Sequence, residues 1–160
     1  MSSMKKLCLL LLPLLVVPIE GRAQSPADTA AVLSTIDSWN RGWAERNVSR
    51  AVADYSDDVD WTNAFGDRSV GRDSLRATLD FIFGLDFVMA GESQRNDYED
   101  VTFLSPTIAL IRSRLTRVGQ QMSSGEVMPD RHINHLRVVE LRDGRWQIVS
   151  HLISQAHEKR

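Results

Sequence analysis

The apolar positions of the chain follow a helical period first and a strand period last. Between Ala27 and Arg46, Val32, Ile36, Trp39 and Trp43 fall at i, i+4, i+7 and i+11, one face of a helix. Asn47 and Ser49 can cap a short second helix with Ala51, Val52 and Tyr55 inward, ended by Asp57-Asp58. Val59, Trp61, Asn63 and Phe65 then alternate with Asp60, Thr62 and Ala64, which predicts a strand turned by Gly66-Asp67. Gly71-Arg72-Asp73-Ser74 opens a third helix, with Asp73 favoured in its first turn, Leu75, Leu79 and Ile82 on its buried face and Gly84 as its stop.

Residues 85 to 93 carry Leu85, Phe87, Val88 and Met89, a pattern that fits a lid or a short strand. Beyond them the chain reads as strands near 95–104, 107–119, 130–142 and 145–155, divided by Ser105-Pro106, Ser123-Ser124-Gly125 and Asp143-Gly144. Asp143-Gly144, between Val138–Leu141 and Trp146–Val149, is a hairpin signal. The order helix, helix, strand, helix, four strands predicts an α+β domain. About three helices would pack on one face of a curved, mostly antiparallel sheet, and the concave space between them is the default ligand site.

The first 23 residues change the picture of where the domain works. Lys5 and Lys6, the apolar run Leu7 to Ile19 and the small residues Gly21 and Ala23 read as a signal peptide cut after Ala23. The run has 13 residues and two prolines, whereas a spanning helix needs about 20 apolar residues. Cys8 lies at the front of this run, not beyond it, so a lipid anchor is not expected. The expected product is a periplasmic or extracellular domain of 137 residues (24–160), free of the membrane after cleavage. It would carry 16 basic and 20 acidic residues, no basic excess for nucleic acid, and no cysteine for a disulfide, thiolate or metal thiolate. Every basic residue after Ala23 except Lys159 is arginine. Asn47-Val48-Ser49 is a glycosylation sequon in a eukaryotic source.

The run Tyr55-Ser56-Asp57-Asp58-Val59-Asp60-Trp61-Thr62-Asn63-Ala64-Phe65-Gly66 resembles the cone fold shared by nuclear transport factor 2, ketosteroid isomerase and SnoaL-type polyketide cyclases. Trp39-Asn40-Arg41-Gly42-Trp43, Gly71-Arg72-Asp73 and Asp143-Gly144-Arg145-Trp146 belong to the same resemblance, which spans about residues 28 to 155 and looks most like the SgcJ/EcaC group. It implies a dimer through the outer sheet face. Laid on the ketosteroid isomerases, the tyrosine that donates to the oxyanion falls on Trp39, the aspartate base on Asn63 and the protonated aspartate on Asn134. An amide has no accessible pKa, so the isomerase mechanism is disfavoured, but the overlay implies that these positions face the cavity.

It also implies that His151, Ile153 and Gln155 point inward. By period two, Val149 then joins His151, and His132 and Leu136 join Asn134. The expected pocket is Trp39, Trp61, Asn63, Phe65, His132, Asn134, His151 and Gln155. His132 and His151 could act as base and acid or share a metal, but a metal would want a third ligand and Asp60 alternates away from Trp61 and Asn63, so no metal is expected. His135 and His157 are expected to be exposed. Trp43 and Trp146 read as core, Asp57, Asp58 and Asp60 as solvated caps, and Arg112 and Arg114 as one strand face toward solvent, a dimer or an anion.

Three readings follow. One is a domain that binds a small apolar, partly oxygenated ligand. The second is a cofactor-independent isomerase, cyclase or hydratase with His151 or His132 as general base and Asn63 and Asn134 as positioners. The third is a dimeric interaction module without catalysis. No glycine-rich phosphate turn or cofactor lysine motif points to a nucleotide, flavin or haem.

Overall fold

The computed structural model describes residues 24–122 and 124–156, with the backbone alone for 93–96 and 156. The expected signal peptide and His157 lie outside the described residues.

Helix α1 (Pro26–Glu45) starts on a reciprocal cap: the Ser25 hydroxyl accepts the Asp28 N–H, and the Asp28 carboxylate accepts the Ser25 N–H. It buries Val32, Ile36 and Trp39 as the period requires. Its Gly42 permits close crossing, because a Cβ there would lie 2.4 Å from the Ala51 nitrogen of α2 (Val48–Ala51). The Asn47 side chain caps α2 by accepting the Arg50 N–H. The remaining elements are β1 (Tyr55–Thr62), β2 (Arg68–Val70), α3 (Arg72–Phe83), α4 (Asp86–Met89), β3 (Glu92–Ser105), β4 (Ile108–Val118), β5 (Arg131–Arg142) and β6 (Arg145–Ala156).

One six-stranded sheet runs β2-β1-β6-β5-β4-β3, antiparallel except for the β1–β6 pair. The described residues hold four helices rather than three, two of them only four residues long. Tyr55 opens β1 and does not close a helix, and residues 85 to 93 divide between α4 and the first residues of β3. Asp143 and Gly144 both take positive φ (51° and 76°), which matches the right-handed strand twist across a two-residue hairpin.

The core lies between the sheet and helices α1 and α3: Val32, Ile36, Leu75 and Leu79 meet Val59, Ile111, Val139 and Ile148. A register shift divides β6. Val138 pairs with Ser150 and Val139 with Ile148, so one extra residue sits in β6 at this point. Trp146 and Ile148 face the core before it, and His151 and Ile153 face the core after it.

Candidate functional site in the cone

The sheet register assembles the site. Val101, Ile111, Arg137, His151 and Trp61 are successive cross-strand partners on β3, β4, β5, β6 and β1. Facing partners share a sheet side, so this row lies on the inner face. The next inner row is Glu99, Ser113, His135 and Ile153; then Leu115, Ile133 and Gln155; then Arg117 and Arg131. Burial loosens partway along this path: His151 and Arg137 are 1% and 2% exposed and His135 6%, while Leu115, Ile133 and Gln155 are only partly buried, before Arg117 at 8%. The cone is therefore packed solid at its floor, partly exposed at Leu115, Ile133 and Gln155, and closed again at its mouth by the buried Arg117 and Gln120.

A hydrogen-bond chain crosses the floor. The Tyr55 phenol lies 2.6 Å from His151 Nδ1, and His151 Nε2 lies 2.8 Å from His135 Nδ1. Trp39 from α1 meets the His151 ring edge-on at 5.1 Å. Burial pushes the Tyr55 phenol well up, against the opposing pull of Arg137, so the phenol stays protonated. Burial, and then the Arg137 cation, push His135 well down; burial, Arg137 and His135 do the same to His151. Both rings are neutral near pH 7.

The direction of the chain follows from these charge states. The Arg137 guanidinium acts on the phenol oxygen, which leaves the phenol proton for His151 Nδ1. His151 then donates from Nε2 to His135 Nδ1, and His135 carries its proton on Nε2. Among the described residues that His135 nitrogen has no partner, nor have Arg137 Nε and Trp61 Nε1. These three groups are buried and have no acceptor among the described residues.

At the mouth, Arg131 places Nε and Nη2 on a single oxygen, Gln155 Oε1, at 2.9 and 2.6 Å, and Nη1 on Gln120 Oε1 at 2.9 Å. Arg117 places Nε and Nη2 on the Ala90 carbonyl at 3.2 and 2.9 Å. Gln120 donates to the Phe87 carbonyl at 2.7 Å. These bonds hold the α4 segment as a strap on the end of β4. Gly91 lets it approach, since a Cβ there would lie 2.5 Å from the Val118 carbonyl oxygen.

The expected site residues divide. His151, Trp39, Trp61 and Gln155 are on the inner face, with Gln155 engaged by Arg131. His132 and Asn134 are on the outer face, correcting the expected phase of β5. His132 meets Thr116 at 3.0 Å, and Asn134 lines a shallow outer depression of about 180 Å³ with Tyr98, Arg112 and Leu152. His132 and His151 lie on opposite faces and form neither an acid–base pair nor a shared metal site.

Asn63 lies past the end of β1. Its amide oxygen accepts the Phe65 and Asp67 N–H groups at 2.9 Å each, so it shapes a turn. Phe65 is 82% exposed. The expected open box around Trp61 and Asn63 is replaced by packed side chains. His135, expected to be exposed, is a member of the buried chain. Val149 is also corrected, because the irregularity in β6 puts Ile148 inward in its place.

The sequence reading missed Tyr55, His135, Arg137, Arg117 and Arg131. One signal was available: Arg137 is a lone cation within Leu136-Arg137-Val138-Val139. A central strand that accepts a charge in such a run has a use for it. The acidic residues expected as caps do lie at the surface, where Asp60 takes a two-pronged bond from Arg68 at 2.6 and 2.7 Å and Asp58 takes Arg142 at 2.6 Å.

No family model matches the sequence, and no curated protein matches it either. Solved structures do. A cystatin-like protein of unassigned role from Caulobacter vibrioides aligns with a TM-score of 0.70 at 18% identity, covering 81% of this chain and 89% of that one. A ketosteroid isomerase-like protein from Erwinia carotovora atroseptica gives 0.67 at 17%, covering 84% and 100%. A putative scytalone dehydratase from Novosphingobium aromaticivorans gives 0.62 at 16%, covering 84% and 90%. An NTF2-like protein of unknown function from Pseudomonas putida gives 0.69 at 16%, covering 86% and 93%. At such identities the likeness is one of fold, and the chain shares the NTF2-like, cystatin-like α+β architecture of these neighbours.

Proposed function

We propose that this chain is an exported domain of the SnoaL-like kind, nearest the SgcJ/EcaC group, that binds a small, partly oxygenated ligand at the mouth of its cone. The observation that carries this reading is the Tyr55–His151–His135 chain ending in an unpartnered N–H. Leaving a buried donor unmade costs roughly 1–3 kcal/mol, and a ligand oxygen would recover it. Leu115 and Ile133 supply apolar contact above His135. Export rests on the basic, apolar and small-residue pattern of residues 1–23.

The test is ring-nitrogen NMR of His135 and His151 with small ketones, sterols and oxygenated aromatics. Ligand-dependent shifts on both rings are expected; rings blind to every compound would remove the reading.

A second reading is favoured by one specific feature. Two neutral imidazoles joined to a phenol form an outward path. His135 gives its Nε2 proton to a substrate oxygen and takes the His151 proton at Nδ1, His151 takes the Tyr55 proton, and the phenolate is left beside the Arg137 cation. The site thus has the parts of a cofactor-independent general acid. The isomerase-like and dehydratase-like names of two fold neighbours are consistent with that chemistry. His135 replaces His132 in it as the group nearest the ligand. Turnover of an enone or a hydroxyketone that vanishes in His135→Gln, with binding retained, would establish it.

We further propose a homodimer through the outer sheet face, where Tyr98, Leu104 and Leu152 are exposed.

A further inference from the structure

The arginines of this protein are distributed against the usual rule, under which buried charges are paired and exposed ones need not be. Surface arginines such as Arg68, Arg72 and Arg142 bond carboxylates. The three on the inner face of the cone rest mainly on neutral oxygens: Arg117 on a carbonyl, Arg131 on two amides and Arg137 on the Ser113 hydroxyl. Glu99, an exposed residue, is the carboxylate that acts on Arg137. Arg117 and Arg131 are also direct cross-strand partners, a like-charge pair that repels.

The hydrogen-bond inventory has the same sign. Arg131 spends two fork donors on one amide oxygen, a geometry that fits the two oxygens of a carboxylate better. Arg137 Nε and His135 Nε2, both deeply buried, have no acceptor among the described residues. Among the described residues Glu99, opposite Ser113, is the carboxylate near Arg137, while Arg117 and Arg131 at the mouth bond neutral oxygens, so the complement of the mouth is an anion with an apolar body.

We propose that the ligand is a small organic carboxylate, seated at the mouth with its carboxylate in the Arg131 fork in place of Gln155 Oε1 and its apolar body on Leu115 and Ile133. This assignment rests on the ligand-binding reading above and gives it a chemical class. The negative charge relieves the Arg117–Arg131 repulsion, and Gln155 acts as the neutral stand-in that the ligand displaces.

The experiment is calorimetric titration of the protein with benzoate, cinnamate and hexanoate, each against its uncharged amide, in low and high chloride. The carboxylates are expected to bind at least about tenfold more tightly than the amides, as a charge-assisted bond gains over a neutral one. Added chloride should weaken them, and Arg131→Gln, titrated at a temperature at which its melting curve shows it folded, should cost about tenfold in affinity. Amides binding as well as carboxylates would overturn the anion while leaving a ligand site. Failure of both series on a folded protein would remove the site itself. Carboxylate affinity unchanged in both Arg131→Gln and Arg117→Gln would place the anion elsewhere and overturn the proposal.

Discussion

His135 Nδ1 lies 2.8 Å from His151 Nε2 across neighbouring strands, and the bond is buried from end to end. Two imidazoles so placed cannot both be charged, because each cation would face the other and Arg137 without solvent. Both rings titrate well below 6.5 in the folded protein, from burial first and Arg137 next. In the unfolded chain they bind protons near 6.5, so below that pH the unfolded state takes up protons that the folded state refuses. Stability is therefore full above about pH 7 and falls as the pH drops through 6.5, by up to about 1.4 kcal/mol per pH unit per ring. Urea midpoints at pH 7.5, 6.0 and 5.0 measure it. His151→Gln should flatten the slope between pH 6.5 and 5, and an unchanged slope would sink the assignment.

Tyr55→Phe removes the first donor of the chain and leaves His151 Nδ1 without a partner. The expected loss is about 1–3 kcal/mol of stability, read as a lowered urea midpoint at unchanged m-value. A neutral substitution would mean that the phenol proton is not committed to His151.

The strap over the mouth should open when its anchor is cut. Gln120→Ala deletes the bond to the Phe87 carbonyl and an acceptor of Arg131. Amide exchange across residues 86–91 should rise at least about tenfold while the strands keep their protection. Gly91→Ala is harsher, because φ is +81° and the added carbon meets the Val118 carbonyl at 2.5 Å. It should cost about 2 kcal/mol or more.

Asn63→Ala tests the corrected role of that residue. Loss of two turn bonds should lower stability by about 1 kcal/mol and leave ligand affinity unchanged. A specific loss of affinity at constant stability would return Asn63 to the site.

Leu152→Arg sets a charge on the exposed outer face beside Arg112. Sedimentation should show the proposed dimer turned to monomer, with the cone chemistry intact. A monomer before substitution would dispose of the dimer.

The sequence by itself determined the elements that depend on local rules. Val32, Ile36 and Trp39 share a helix face because 3.6-residue periodicity puts them there, and Asp143-Gly144 turns because those residues tolerate positive φ. His151 as a buried inner residue was also legible, through the resemblance. The facing of β5 was not. Its inner residues Ile133, His135, Arg137, Val139 and Leu141 and its outer ones His132, Asn134, Leu136, Val138 and Glu140 are equally mixed, so alternation has no preferred phase. Register with β4 and β6 selects one, and the one-residue irregularity near Val149 resets the phase of β6 as well. A slip of one residue moves every side chain to the other face, and for that reason only the assembled sheet could bring Tyr55, His135 and Arg137 to His151.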